Sequence, residues 1–486
     1  MAMRFLYCFL MLFALSFSAG AQEYIAEKGK NHVVRAAPLR GAHPAQGERA
    51  KPNVIVILTD DQGSIDLNSY GATDLHTPNM DRLAKEGVRF TQFYAAAPVC
   101  SPSRAALLTG KTNLRAGLPD NVPIPERADE RGQYGLPTEQ VTMAEMLKKN
   151  GYHTSLIGKW HLGHRPQNLP NAQGFDYFFG HRNGVIDNHS HFFYWDGPFI
   201  HDLYRNAEEV YRPGEHFTDV MVKEVKSVID RNTATPFFIY WAFNSPHYPY
   251  QGAPKWLEKY KHLPTPRKEY AAFVSNTDEA IGKVLDYLDE KGLTENTIIV
   301  FQSDHGHSKE ERAYWGGGNA GPYRGSKFSL FEGGIRVPAI IRYPKKIPAG
   351  EVRGQLTMQM DWFPTIAELT GSKVTENIDG KSLMPIIKRR KKSSSHNIVH
   401  WQIGNYKSEE SQWAVRKGPW KLIGNVTEPM AKGKSSQLPQ LFLVNVEEDV
   451  SEKTNVAAEY PDKVDELLKL HRSWIDRVRS EMKIAD

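Results

Sequence analysis

Cysteine is almost absent from this chain, with Cys8 and Cys100 the two in 486 residues. That scarcity excludes a disulfide-stapled scaffold and a cysteine-built zinc site. Cys8 lies in the apolar run FLYCFLMLFALSF, which follows Arg4 and precedes the small residues of SAGAQ. A basic start, an apolar stretch too short to span a bilayer and an A-x-A site predict a signal peptide over residues 1–21. Cys8 is mid-run rather than at the cleavage point, which argues against lipid attachment. Cleavage after Ala21 leaves Cys100 alone in an exported chain of about 465 residues, periplasmic or secreted. No later segment is apolar enough to cross a membrane, so no membrane anchor is expected.

An excess of one charge is lacking too. The formal net charge is +5, of which Arg4 carries one and residues 22–52 a net three, leaving the body from Asn53 at about +1. One basic run, KRRKK at 388–392, reads as a solvated loop. Nothing points to nucleic acid as a partner. Internal repeats are absent as well.

Residues 22–50 are polar and aperiodic, a mobile lead-in by composition. Order is expected from PNVIVILTDDQG, where an apolar β-branched run stops at two aspartates. A run apolar on both faces reads as a buried parallel strand. The pattern recurs in YHTSLIGKWHLGH, TPFFIYWAFNSPHYPY and NTIIVFQSDHGH, with amphipathic helical segments such as TPNMDRLAKEGVRF and TMAEMLKKNGY between. The alternation predicts an α/β fold with a mainly parallel central sheet flanked by helices, over residues 51–392. After KRRKKSSSH, short strand-like runs and a closing helix predict a smaller C-terminal α+β subdomain over 393–486.

In open sheets of this kind ligands bind outside the carboxyl ends of the strands, and polar clusters gather there. Asp60 and Asp61 end one strand, where they either cap a turn or share a hard cation. Asp304, ending another, favours the cation, and Ca²⁺ or Mg²⁺ over a soft metal. His305 leaves room for Mn²⁺. The tract DNHSHFF holds His189 and His191, but without cysteines or a helical histidine pair it suits substrate contact or packing better than zinc.

Cys100 opens the stretch CSPSRAALLTG. Ser101 suits an N-cap and Pro102 the first turn, so Cys100 is expected just before a helix N-terminus. The helix dipole and free N–H groups favour negative charge there, and Arg104 offers a fork for an oxyanion. Cys100 is thus either an inert small hydrophobe or the centre of an anion-handling site.

Five further motifs decide between these. LTDDQG, GKWHLG, NSPHYP, SDHG and GSKFSLFEGGIRVPAII follow one another around CSPSRAALLTG, spanning about residues 52–341. With its Cys-x-Pro-x-Arg and Thr-Gly pattern, the sequence resembles the type I sulfatases of the alkaline-phosphatase-like superfamily. That resemblance implies that Cys100 is converted to formylglycine (3-oxoalanine) by a formylglycine-generating enzyme. It implies Ca²⁺, with Mg²⁺ or Mn²⁺ less fitting, held by Asp60, Asp61, Asp304, His305 and the modified Cys100. The family often has Asn where this chain has His305. Arg104, Lys159, His161, His247 and Lys327 resemble the family's sulfate-pocket residues, and Ser103 fits the signal for modification.

The implied reaction is removal of sulfate from an ester. An aldehyde hydrate at position 100 attacks sulfur, His247 protonates the departing alcohol, and His161 deprotonates the second hydroxyl to expel sulfate. The aromatic and histidine-rich stretch FFGHRNGVIDNHSHFFYW suits a sugar-binding rim, with Arg182, Asp187, His189 and His191 as specificity candidates. Sulfated saccharides, including galactose or N-acetylgalactosamine sulfates, are the expected substrates. The rival readings are a formylglycine-dependent phosphonate or phosphate ester hydrolase and a catalytically inactive glycan-binding protein.

Overall fold

The apolar run Asn53–Thr59 is a strand, β1, buried along its whole length, and its side chains enter two different cores. Val54, Val56 and Leu58 pack on one face of the sheet, Ile55 and Ile57 on the other. This is why the run is apolar at every position rather than at every second one. In this computed structural model the described residues are 51–124, 135–194, 199–389, 392–404, 410–428 and 438–481. The signal peptide and lead-in expected over 1–50 lie outside them.

Ten strands form the central sheet. In chain order they are β1, β2 (Val88–Phe90), β3 (His153–Lys159), β4 (Tyr177–His181), β5 (Tyr204–Arg205), β6 (Glu208–Glu209), β7 (Phe237–Ala242), β8 (Thr297–Ser303), β9 (Ala339–Arg342) and β10 (Glu351–Arg353). Their spatial order is β10-β2-β9-β8-β1-β7-β3-β4-β5-β6. The five central strands, β8-β1-β7-β3-β4, run parallel, and antiparallel pairs flank them at β8–β9 and β4–β5. Parallel register carries the carboxyl ends of β1, β3, β7 and β8 to one edge, so residues far apart in sequence converge there.

Helices cover both faces. On the first lie α2 (Cys100–Thr109), α3 (Met143–Lys149) and α7 (Trp362–Thr370). On the second lie α1 (Pro78–Glu86), α4 (Phe217–Arg231) and α6 (Arg267–Glu290). Local chemistry sets their starts. Pro78 opens α1, and a Thr142–Glu145 capping box satisfies two free N–H groups at the start of α3. The short helix α5 (Pro254–Lys259) packs on α6.

The C-terminal region is α+β, as expected. Strands β11 (Ile398–Gln402), β12 (Trp413–Lys417), β13 (Trp420–Gly424) and β14 (Leu441–Asn445) form an antiparallel sheet. The β12–β13 hairpin turns through Gly418 at φ 60°, a left-handed conformation that a Cβ would strain. Alternate residues again face two ways. Val415, Leu422 and Leu443 pack on Leu467 of the closing helix α8 (Pro461–Glu481). Ala414, Ile423 and Phe442 instead share a core with Tyr94, Leu330, Phe331 and Met358 of the larger part. Residues 48–486 accordingly make one compact unit.

Candidate active site at the carboxyl edge of the sheet

Cys100 is the first helical residue of α2, with Val99 as the N-cap, not the residue before the helix. Ser101 does not cap it. Its hydroxyl donates to the His161 carbonyl (2.7 Å) and accepts from the Val122 N–H (3.1 Å), tying two loops to the helix start. Ser103 likewise turns inward, its single hydroxyl proton placed between the Asp304 carbonyl and Gln359 Oε1, the latter at 2.7 Å.

Around Cys100 the expected acidic cluster assembles. Asp60 Oδ1 lies 3.5 Å from Cys100 Sγ, and His305 Nε2 lies 3.3 Å from the same sulfur. His305 Nε2 is also 3.5 Å from Asp61 Oδ1. One ligand atom from each of Asp60, Asp61, Cys100 and His305 lies within 4.8 Å of the other three, all four residues buried. Asp61 adopts φ 62°, which turns its carboxylate back toward the group just after β1 ends.

Asp304, expected as a further ligand, stands beside this quartet rather than in it. Its Oδ1 accepts from the Asp61 and His305 N–H groups at 3.2 and 3.0 Å, and its Oδ2 pairs with Arg104 at 3.1 Å. Those bonds take three of its roughly four acceptor positions, and Oδ1 remains 3.6 Å from His305 Nε2.

The residues present fit a divalent cation. Asp61 Oδ1 is buried with no hydrogen-bond partner among the described residues, a costly arrangement unless something else meets the charge. Burial pushes the Asp61 carboxyl up to about 6, against the pull of Lys327 and His305. Burial also raises Asp60, but Lys159 and then Arg104 outweigh it and hold that carboxyl well below its ordinary range. Two carboxylates, an imidazole and the group at position 100 suit a hard-to-borderline divalent ion.

The cations divide into two sets. Arg104 and Lys159 are wholly buried and do not line the pocket. Lys159 Nζ lies 2.5 Å from Asp60 Oδ2, and Arg104 bridges Asp60 (3.3 Å) and Asp304 (3.1 Å). Both therefore support the carboxylates from behind. Lys327 does face the pocket, its Nζ 3.1 Å from Asp61 Oδ2 and 3.2 Å from His247 Nε2. Burial lowers its affinity for a proton, but Asp61 outweighs that and keeps it charged.

The histidines are oriented by their surroundings. His247 Nδ1 donates to the Tyr248 carbonyl at 2.6 Å, which leaves Nε2 toward Lys327 and the pocket. Burial, then the Lys327 charge, hold His247 well below its usual range. His161, at φ 55°, is depressed by burial and by Lys159 and Arg104. Its ring lies flush on Gly184, where an added Cβ would come within 2.7 Å of it.

A pocket of about 180 Å³ opens over this group, lined by Cys100, His161, His247 and Lys327 together with Asn121, Asn183, Phe193, Tyr248, Glu310 and Arg312. Asn183 and Phe193 fall in the stretch expected as a sugar rim and Tyr248 in NSPHYP, whereas Asn121, Glu310 and Arg312 carried no sequence signal, because they come from separate loops. His307, whose part the sequence left open, has a structural one. Its carbonyl accepts the Lys327 N–H at 2.9 Å, while its ring is buried.

The four specificity candidates do not line this pocket. Arg182 stacks on the Tyr204 ring, its guanidinium carbon 3.6 Å from the centroid. Asp187 binds its own turn, accepting from the His189 and Ser190 N–H groups at 3.0 and 2.7 Å. His189 packs edge-on to His216, and His191 is buried against Phe217. Phe178 and Phe179 are core residues of β4, whereas Phe193 reaches the pocket.

Comparison with known proteins agrees with this geometry. The family model "Sulfatase" matches residues 52–372, and "N-sulphoglucosamine sulphohydrolase, C-terminal" matches 324–469. The chain is 37% identical to Homo sapiens N-acetylgalactosamine-6-sulfatase over 367 residues, covering 71% of this chain and 67% of that one. The Sus scrofa enzyme of that name is 34% identical over 430 residues, covering 82% and 80%. Among solved structures, Ps i-CgsB in complex with k-i-k-neocarrahexaose superposes with a TM-score of 0.76 at 32% identity, covering 87% of this chain and 93% of that one. A Bacteroides thetaiotaomicron protein of multiple-glycosaminoglycan metabolism gives 0.69 at 28% identity, covering 88% and 99%. The matched span holds the whole buried cluster from Asp60 to Lys327, and on that ground the chain belongs to the sulfatase family as a sulfuric ester hydrolase.

Proposed function

We propose that this enzyme acts outside the cytoplasm and removes sulfate from saccharides, galactose or N-acetylgalactosamine sulfates in particular, through a formylglycine made from Cys100. The observation that carries this reading is the convergence of Cys100 with Asp60, Asp61 and His305 in a pocket that Lys327, His247 and His161 also line. The N-acetylgalactosamine-6-sulfatase names of the mammalian relatives and the k-i-k-neocarrahexaose bound to Ps i-CgsB support a sulfated sugar.

Asp60, Asp61, His305 and position 100 would hold the cation, with Asp304 alongside. When bound, Ca²⁺ (Mg²⁺ or Mn²⁺ fitting less well) supplies Lewis-acid stabilisation of charge on the sulfuryl oxygens. A formylglycine at position 100 would, as its hydrate, supply one hydroxyl for attack on sulfur and a second for release of sulfate.

The remaining work falls to side chains already in position. Lys327 donates to a sulfuryl oxygen from the pocket wall. Arg104 and Lys159 keep Asp60 ionised, so the field at position 100 does not change during turnover. His247 is neutral in the empty pocket. A bound sulfate ester offsets the Lys327 charge and draws a proton onto Nε2, from which the leaving alcohol takes it. His161 lines the same pocket as position 100 and accepts the proton of the second hydroxyl.

The test is sulfate release from a panel of defined sulfated saccharides, with an aryl sulfate and an aryl phosphate run in parallel at several cations. The peptide bearing position 100 is weighed in the same preparation. Fully active protein that retains the sulfur would remove the formylglycine step. Faster phosphate release would move the reading to the phosphonate or phosphate ester hydrolases. Saccharide binding without turnover, in protein made with the modifying enzyme, would leave a glycan-binding protein.

A further inference from the structure

Glu310 stands in the wall of the pocket over Cys100, and both cations of that wall turn to it. Among the described residues that line the pocket, Lys327 and Arg312 carry positive charge and Glu310 alone carries a carboxylate. Glu310 Oε1 meets Arg312 Nε at 3.2 Å and Nη2 at 3.1 Å. Its Oε2 lies 3.6 Å from Lys327 Nζ and accepts from the Tyr248 hydroxyl at 2.9 Å and the Ser308 hydroxyl at 3.0 Å. Ser308 Oγ in turn accepts the Glu310 N–H at 3.2 Å, so the carboxylate is held in one place. Its side chain is 14% exposed, which limits screening by salt.

This is an unexpected group to find beside Lys327. A carboxylate 3.6 Å from the lysine that takes a sulfuryl oxygen weakens the pull of that lysine on every anion. It benefits an enzyme with an anionic substrate only if it sorts one anion from another. The wall holds two positive charges against one negative, since burial keeps His161 and His247 well below their usual range. The remainder is one positive charge. A sulfate ester carries one negative charge, whereas a phosphate monoester at pH 7 carries close to two. The two groups share a tetrahedral shape and nearly the same size, so fit alone separates them poorly. Any cation beneath position 100 would draw the doubly charged ester the harder, and repulsion from Glu310 acts in the opposite sense.

We infer that Glu310 is a specificity residue that turns away doubly charged phosphate monoesters and so keeps the pocket for singly charged sulfate esters. The inference rests on the reading above that Lys327 takes a sulfuryl oxygen, and adds how the pocket tells sulfate from phosphate.

The experiment compares kcat/KM at pH 8 for three esters of one alcohol, the one released fastest as its sulfate. They are the sulfate, the phosphate monoester and the methyl phosphate diester, which like the sulfate has one negative charge. In Glu310→Gln the monoester-to-sulfate ratio should rise about tenfold or more over wild type, while the diester-to-sulfate ratio stays within about threefold. Glu310→Asp keeps the charge and should keep the wild-type order. Arg312→Gln, which leaves Glu310 less neutralised, should lower the monoester-to-sulfate ratio. Calorimetry measures binding apart from turnover. Phenylphosphonate should gain about tenfold on benzenesulfonate in Glu310→Gln at pH 8.5, where the phosphonate is doubly charged, and should lose that gain at pH 5.5. Circular dichroism and thermal melting check that the variants fold. Changes shared equally by all three esters, or ratios that do not move, would overturn the charge filter while the sulfatase reading stands. Wild-type enzyme that hydrolyses the phosphate monoester faster than any sulfate would overturn the sulfate reading and this inference with it.

Discussion

Gln412, at the edge of the C-terminal sheet, makes both amide hydrogen bonds to the loop that presents Lys327. Its Nε2 donates to the Phe328 carbonyl at 2.9 Å, and its Oε1 accepts the Leu330 N–H at 2.8 Å. The loop is held on its other side by the Lys327 N–H on the His307 carbonyl and the Phe328 N–H on the Pro98 carbonyl. A residue of the small sheet thus clamps the main chain one step from a pocket cation. The same loop continues to Glu332, which accepts from Lys421 Nζ at 3.0 Å and from the Tyr94 hydroxyl at 2.6 Å.

Removing the clamp should displace Lys327 before it unfolds the protein. Gln412→Ala leaves two buried main-chain groups unmet, a stability cost of about 1–3 kcal/mol. Turnover of a saccharide sulfate should fall about tenfold or more, while the melting transition stays single and cooperative. Unchanged kinetics in a destabilised protein would assign Gln412 to packing alone.

The carboxylate pair should make activity depend on a divalent ion. Chelation is expected to abolish turnover and added Ca²⁺ to restore it. Asp61→Asn removes the charge facing Lys327 and replaces one carboxylate oxygen with an NH₂ group that cannot ligate a cation. Its requirement for cation should rise by at least the ~10–100-fold that loss of an outer-shell partner costs a metal site. Titration of activity and of melting temperature against Ca²⁺ measures this.

His247 should matter in proportion to how poor the leaving group is. A sugar alkoxide needs a proton as it departs, and a positioned acid contributes about 10²–10⁴-fold. A nitrophenolate leaves without one. His247→Ala is expected to lose that factor on a saccharide sulfate and no more than about tenfold on an aryl sulfate. Equal losses on both would show that His247 binds sulfate rather than delivering a proton.

Acid should loosen the closing helix first. His400 stacks on Trp474 with ring centroids 4.8 Å apart, and His471 on Trp413 at 4.2 Å. Burial holds each imidazole down at about 3, from an ordinary 6.5. Depressed histidines are neutral in the fold, so their contribution is complete above pH 6.5 and is lost as pH falls toward 3. Below pH 6 each should cost about 1.4 kcal/mol per pH unit. Hydrogen-exchange protection in α8, taken relative to the intrinsic exchange rate at each pH, should fall between pH 7.5 and 5, and His400→Phe with His471→Phe should flatten that dependence.

Much of this molecule was legible in its sequence. A strand buried on both faces must be apolar at every position, so β1, β3, β7 and β8 announced themselves, and each ended in residues that no core would keep. Asp60, Asp61, Asp304, His305 and His247 could be singled out on that ground, since chemistry at a strand end is a local pattern. The antiparallel strands of the small sheet and α8 were local patterns too.

What the sequence could not decide was where a loop side chain points once its backbone has settled. Arg182, His189 and His191 had suitable chemistry, but a tyrosine face and neighbouring rings hold them off the pocket over Cys100, and Asp187 lines a neighbouring cavity instead. Arg104 and Lys159 carried the right charge, yet parallel pairing of β3 through β7 to β1 set Lys159, and the packing of α2 set Arg104, against Asp60 instead of over the pocket. Glu310, Arg312 and Gln412 belong to the site only because distant loops meet at one sheet edge. Composition and periodicity are read along the chain, whereas a pocket is made of contacts across it, and only packing chooses among those.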